Sequence, residues 1–173
     1  YEKFNAKGGL EITDLSYKSA DLPQGMLIQS AKMEFAPSYV NLKNFDCLIG
    51  KSDLHLAGKI ENFIAYALTD SAVLKGSYTL TSSLLDLNEF MVEEDSMGIE
   101  EDEVDDTIPY EVIEVPSTID FSLNSSFNQI LYDKMDMNNV KGGLLVKDKS
   151  VLMKDLFMEV CGGTMLVNGS YTT

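Results

Sequence analysis

The sequence predicts a mainly β fold: an antiparallel sheet, curved or groove-forming, with one short helix. A closed β-sandwich is the alternative architecture. Three observations carry this. Apolar and polar residues alternate with period two over many short segments. Gly, Asn, Asp and Ser punctuate those segments at a spacing of roughly 8–12 residues. The chain has 173 residues, of which 45% are hydrophobic, enough for one domain with a core. It is therefore read as a single β-rich domain over 1–173, with an acidic, disordered loop at 92–108 inside it.

The elements follow in chain order. Leu10, Ile12 and 13–17 form a first strand after the pair Gly8-Gly9. Residues 26–35 form a second, opened by Gly25, and 39–45 a third, after Pro37. Asp53-Leu54-His55-Leu56-Ala57-Gly58 alternates cleanly. The pattern breaks at 61–68, where Phe63 and Ala67, and Ile64 and Leu68, recur four apart and predict a short helix. Strand pattern resumes at 75–80, and 83–90 reads equally as helix or strand. Further strands are read at 119–123, 131–137, 143–146, 151–157 and 164–171, about ten in all.

A faint internal repeat runs through this pattern. Residues 35–58 align with 146–169 at an offset of 111, with Val40, Lys43 and Gly58 meeting Val151, Lys154 and Gly169. Leu42, Phe45, Leu54 and Leu56 meet Met153, Leu156, Met165 and Val167, so the apolar phase is kept. A second echo links Gly76-Ser77-Tyr78-Thr79 with Gly169-Ser170-Tyr171-Thr172. Recurrence of one strand unit builds quasi-linear β architectures. Any strand-rich chain also self-aligns to some degree.

Charge excludes one class of partner. There are 13 Lys, no Arg and 28 acids, a net charge of -15. Phosphate backbones are bound by Lys and Arg clusters, so nucleic acid is excluded as a partner. The acidity is local: eleven acids, from Glu93 to Glu114, fall in one stretch without a Lys. The rest carries 17 acids against 13 Lys, a net of -4. That stretch reads as a solvated, self-repelling loop. A calcium loop is the competing reading, but Ser96-Met97-Gly98-Ile99-Glu100 lacks the ligand order of an EF-hand.

Chemistry finds little purchase. The only His, His55, sits between Leu54 and Leu56, so its side chain faces away from both and into solvent. There is no Gly-x-Ser-x-Gly elbow. Gly50-Lys51-Ser52 resembles the end of a phosphate loop, but Phe45 stands where the upstream Gly is required. Cys47 and Cys161 lie in apolar stretches and read as buried free thiols, with a disulfide as the other possibility. No catalytic residue, metal ligand or cofactor site is assigned, and the chain reads as a non-enzyme. No apolar run reaches the roughly 20 residues of a membrane helix. The chain begins at Tyr1 without Met and stops in mid-pattern at 169–173, which reads as a piece of a longer protein.

The run Ile49-Gly50-Lys51-Ser52-Asp53-Leu54-His55-Leu56-Ala57-Gly58-Lys59-Ile60-Glu61-Asn62-Phe63 resembles a signature of AsmA-like proteins of Gram-negative bacteria. The likeness continues through Tyr66, Leu74-Lys75-Gly76, Leu84-Leu85-Asp86-Leu87-Asn88-Glu89-Phe90, an acidic insert, and Val115-Pro116-Ser117-Thr118-Ile119-Asp120-Phe121. It closes on Gly162-Gly163-Thr164-Met165-Leu166-Val167-Asn168-Gly169-Ser170-Tyr171. The family is similar to TamB and the bridge-like lipid-transfer proteins. The resemblance implies a periplasmic C-terminal region of a protein anchored in the inner membrane by a helix that this sequence lacks. It further implies a role in outer-membrane biogenesis and phospholipid transport, with an apolar groove and no catalytic residues.

A groove needs one apolar face, which period-two strands provide. The candidate lipid-facing residues are Leu54, Leu56, Phe121, Leu123, Leu144, Val146, Met165 and Val167. Nine Met in the chain suit a surface that accepts varied acyl chains. The expected partners are lipid acyl chains, the rest of the parent chain and other envelope proteins. The alternative function is a structural or protein-interaction module that caps or docks the parent protein, for which the acidic loop is the motivating feature.

Overall fold

The computed structural model describes residues 6–20, 22–69, 72–91 and 114–173. The acidic loop expected at 92–108 lies outside the described residues. The strands are β1 (Gly8–Tyr17), β2 (Met26–Ala36), β3 (Tyr39–Ile49), β4 (Ser52–Glu61), β5 (Leu74–Asp86), β6 (Ile119–Tyr132), β7 (Met135–Lys147), β8 (Ser150–Val160) and β9 (Gly163–Thr172). A six-residue helix, α1 (Phe63–Leu68), precedes β5, and a 3-10 turn (Leu87–Phe90) follows it. All nine strands form one sheet whose spatial order is the sequence order.

Seven of the eight neighbouring pairs are antiparallel; β5 and β6 run parallel. The sheet is thus mostly antiparallel, as the sequence predicts, with one parallel pair at its centre. A parallel pair cannot be closed by a tight turn and needs a long crossover. The stretch between Asp86 and Ile119, which holds the acidic residues, is that crossover.

Two-residue turns explain where other expectations shift. Asp148 (φ 49°) with Lys149 (φ 61°), and Cys161 (φ 52°) with Gly162 (φ 76°), take the paired positive φ values that tight hairpins demand. Asp133 (φ 51°) turns the chain from β6 into β7, splitting the strand expected at 131–137. The ambiguous 83–90 stretch divides in the same way. It is strand to Asp86, and then the Asp86 carboxylate caps the Asn88 amide and starts the 3-10 turn.

The sheet is open, with β1 and β9 as its edges. Among the described residues no second sheet packs on it. Each strand contacts its lateral neighbours, α1 touches β5, and the 3-10 turn touches β6. The closed sandwich is therefore not formed.

Seven strands carry one irregular step that keeps apolar residues on one side. Residues three apart share a face at Ile12 and Leu15, Ile28 and Ala31, Leu42 and Phe45, Phe127 and Ile130, Met137 and Val140, and Met153 and Leu156. Ser82 and Leu85 take the same step in β5. In β1, β7 and β8 the chain makes it with Asp14, Asn139 and Asp155 at φ 50–53°. Asp and Asn tolerate that left-handed conformation better than other side chains. Such steps bend and twist a strand, so the short polar residues inside these runs are the sequence origin of the sheet's curvature.

The 111-residue repeat is geometric. In β3–β4, Leu42 pairs with Gly58 and Phe45 with Leu56, with a register shift between them. In β8–β9, Met153 pairs with Gly169 and Leu156 with Val167, with the same shift at the same place. β3 and β4 map onto β8 and β9 end to end. The second echo joins non-equivalent strands, because Gly76 lies on β5 while Gly169 corresponds to Gly58 of β4.

Candidate functional site

Side chains paired across a ladder stand on the same face, so the register locates each candidate. Leu54 opposes Cys47, and Leu56 opposes Phe45 on one side and Leu80 on the other. Phe121 opposes Gly76 and Val146, and Leu123 opposes Tyr78 and Leu144. Leu144 opposes Met153, and Val146 opposes Val151. Met165 opposes Met158, and Val167 opposes Leu156. All eight candidates therefore share one face. An edge-to-face contact between the Tyr78 and Phe121 rings, 6.2 Å between centroids, joins its two halves across the parallel pair.

This face is apolar from edge to edge. It runs from Leu10, Ile12, Leu15 and Tyr17 on β1 to Met165 and Val167 on β9, and none of its paired positions holds a charge. Seven methionines stand on it: Met26, Met33, Met135, Met137, Met153, Met158 and Met165. Its floor is closed by two clusters. Ile28, Ala31 and Cys47 form one, packed against Phe45 and Leu54. Phe127, Ile130 and Val140 form the other, packed against Leu80 and Leu156. Cys47 is 1% and Val140 5% exposed, whereas Leu144 is 38% and Met165 47% exposed. The floor is thus filled by the sheet's own side chains, while the outer strands present accessible apolar surface. The eight candidates divide accordingly: Leu144 and Met165 are open, and the other six are half-buried.

The opposite face carries most of the charge. Lys32 meets Glu11, Lys43 meets Glu34, Lys59 meets Glu61 and Lys147 meets Asp120. It is not wholly polar, since Leu27 pairs with Leu48 and Leu145 with Leu152.

His55 stands on this second face, away from Leu54 and Leu56 as the alternation requires. Its Nδ1 lies 2.8 Å from Asp46 and its Nε2 3.1 Å from Asp53. A carboxylate at each nitrogen favours the protonated ring. Its pKa is raised, first by the hydrogen bond to Asp46 and then by the charges of both aspartates against some desolvation. Asp46 is lowered by the same bond, with Asn44 adding a second. At Asp53 desolvation works against ionisation, but the amides of Ser83 and Leu84 outweigh it and lower the pKa. A ring with both nitrogens engaged has no free lone pair for general-base work. The triad fastens β3, β4 and the irregular step of β5 together.

A second set of bonds fastens the 3-10 turn to the β3–β4 turn. Glu89 accepts from the Lys51 amide at 3.0 Å and from the Ser52 hydroxyl at 3.3 Å. Ser52 accepts from the Asp86 amide at 2.9 Å. Asn88 accepts from the Asp133 amide at 2.7 Å. Sequence reasoning missed both networks, although Asp46, Asp53 and His55 at alternating polar positions of adjacent strands were a usable signal.

Clefts of about 450 Å³ and 410 Å³ open at strand ends, lined by polar and backbone groups such as Asp136, Glu159 and Thr164, or Ser117, Lys149 and Thr173. Neither lies on the apolar face. Among the described residues no group of three or more His, Cys, Asp and Glu is placed to hold a metal, and no helix is long and apolar enough to cross a membrane. Cys47 and Cys161 are both free thiols. Cys47 is buried as expected, but Cys161 is exposed, because it forms the β8–β9 turn rather than continuing the apolar strand.

Comparison of the chain with protein-family models, with curated proteins and with solved structures finds no match. The functional reading therefore rests on the geometry above and on the resemblance read from the sequence.

Proposed function

We propose that this chain is a non-enzymatic module of an AsmA-like envelope protein, acting in outer-membrane biogenesis and phospholipid transport by holding lipid acyl chains against one face of its sheet. The reading puts it in the periplasm of a Gram-negative bacterium, as part of a parent protein anchored in the inner membrane. One observation carries the proposal: the uncharged apolar face that crosses all nine strands with no second layer over it among the described residues. Exposed apolar patches beyond a few hundred Å² mark binding or membrane surfaces. The seven methionines add a soft lining that adapts to chains of differing length and unsaturation.

The contact surface is the accessible margin around Leu144, Met153 and Met165 on one side and Leu10, Leu15 and Tyr17 on the other. Cys47 and Val140 fill the floor among the described residues. An acyl chain lies along the face instead of inside a cavity.

The test is to express the chain in the periplasm of a Gram-negative host, purify it without detergent, and examine it by native mass spectrometry and lipid extraction. Phospholipid at or near one per chain is expected. A lipid-free protein that also fails to take up phospholipid from vesicles would overturn the reading.

A further inference from the structure

The sheet ends in two edge strands with no further strand beside them among the described residues, and the two are built differently. β1 carries Glu11 and the irregular Asp14, both of which discourage further pairing. β9 carries neither charge nor proline over ten residues, Gly163–Thr172. Each of the other eight strands holds at least one charged residue, in a chain of net charge -15. Leu166 on β9 is 63% exposed. A long, uncharged, unblunted edge is a template for another strand.

The internal repeat says what kind of strand. β9 corresponds to β4, and the far side of β4 is already paired, antiparallel, with β5 from His55↔Thr81 to Glu61↔Lys75. At the centre of that pairing Gly58 opposes Tyr78. A Cβ on Gly58 would overlap the Tyr78 ring and crowd the Ser77 carbonyl. Glycine there is a seat for an aromatic ring. Gly8 under Phe35 and Gly76 under Phe121 repeat the arrangement on the same face. Gly169 holds the place of Gly58 in β9, yet only the end of Met153, at 3.2 Å, approaches its Cβ position. Among the described residues no strand pairs with this side of β9.

We propose that the free edge of β9 is a docking edge for an antiparallel β-strand of the β5 type: uncharged over its centre, rich in Ser and Thr, with a tyrosine seated over Gly169. The β4–β5 register sets the pairing. The incoming strand runs alongside β9 from Leu166, and the residue two after its tyrosine meets Val167. The joined strand extends the apolar face by one strand in the same phase, because Tyr78 and Leu80 of β5 both stand on that face. This inference does not depend on lipid binding.

The experiment titrates the full chain into a fluorescein-labelled peptide with the sequence of residues 74–83 and follows anisotropy. Saturable binding is expected. Tyr78→Ala in the peptide should weaken it by about five- to tenfold, the worth of one seated aromatic. Gly169→Val in the chain should weaken it at least as much, with the melting temperature held. Leu166→Lys, at an exposed position, should weaken it by charging the edge. Failure of the peptide to bind the folded chain would overturn the proposal. Binding indifferent to both Tyr78→Ala and Gly169→Val would overturn it too. So would a homodimer through β9 that the peptide does not dissociate.

Discussion

Gly58 and Gly169 occupy one register position in two copies of the same hairpin. Gly58 faces Leu42 and Gly169 faces Met153, and in each copy the next pairing skips a residue before Phe45 or Leu156. Their surroundings differ on the other side: Gly58 lies under the Tyr78 ring, whereas Gly169 meets only the flexible end of Met153. The two glycines thus separate what the hairpin requires from what its neighbour strand requires.

A matched pair of substitutions measures that separation. Gly58→Ala forces a methyl into the Tyr78 ring and the Ser77 carbonyl, an overpacking cost of about 1–3 kcal/mol. Gly169→Ala meets only a side-chain end and restricts the unfolded chain, so it should be neutral or slightly stabilising. Urea unfolding of both variants checks the difference.

Two buried serines should respond with opposite signs. Ser52, fully buried, accepts from the Asp86 amide and donates to Glu89. Ser52→Ala strands that amide at a cost of about 1–3 kcal/mol. Ser82 is 4% exposed, and its hydroxyl has no partner among the described residues. Ser82→Ala removes an unsatisfied group and should raise stability, by up to about 1 kcal/mol. Thermal melts of the two variants are the check.

The Asp46–His55–Asp53 triad makes stability pH-dependent. The folded pKa of His55 lies above its ordinary 6.5, so its contribution is full below that value and fades as pH rises through the raised one. Asp46 and Asp53 lie below their ordinary 3.8, so theirs is full above that value and is lost as pH falls through the lowered ones. The triad therefore stabilises most between those two ordinary values. The melting temperature of the wild type should exceed that of His55→Gln at pH 5.5, and the gap should narrow by pH 8.5. Solvent screening at these partly exposed groups keeps the gap below about 1 kcal/mol.

The two thiols should differ in reactivity. Burial first, and the Asp46 charge second, push the Cys47 pKa up, and the side chain is 1% exposed. Cys161 is exposed in a turn. Native alkylation followed by peptide mapping should label Cys161 within minutes and Cys47 only on unfolding.

Much of this fold was legible in the sequence. Alternation located part of every strand, though it read one strand across the β6–β7 turn, and i to i+4 spacing located α1, because each pattern follows from one element's own geometry. The repeat was legible as well, from apolar phase more than from identities. What was not legible depends on partners far along the chain. The parallel β5–β6 pair is set by a crossover, not by either strand. The turn at Asp133 is hidden by apolar residues on both sides, and the turn at Cys161 follows an apolar strand whose pattern the cysteine continues. Of the candidate face, alternation fixed which side each of the eight residues takes. It could not say that Leu144 and Met165 are open while Leu54 and Leu56 are half-buried, since that depends on how far the sheet curls. The His55 triad needed the β3–β4 register, which no single strand records.

The most direct test of acyl-chain contact uses two adjacent residues of β7. Leu144 points to the apolar face and Leu145 to the other, where it pairs with Leu152. A photoreactive benzophenone amino acid is placed at each position in turn, in the full chain expressed in a Gram-negative host, and irradiated in the envelope. Phospholipid adducts, read by mass spectrometry, are expected at position 144 and absent or several-fold fewer at 145. No adduct at 144, or equal labelling at both positions, would contradict the assignment of this face to lipid.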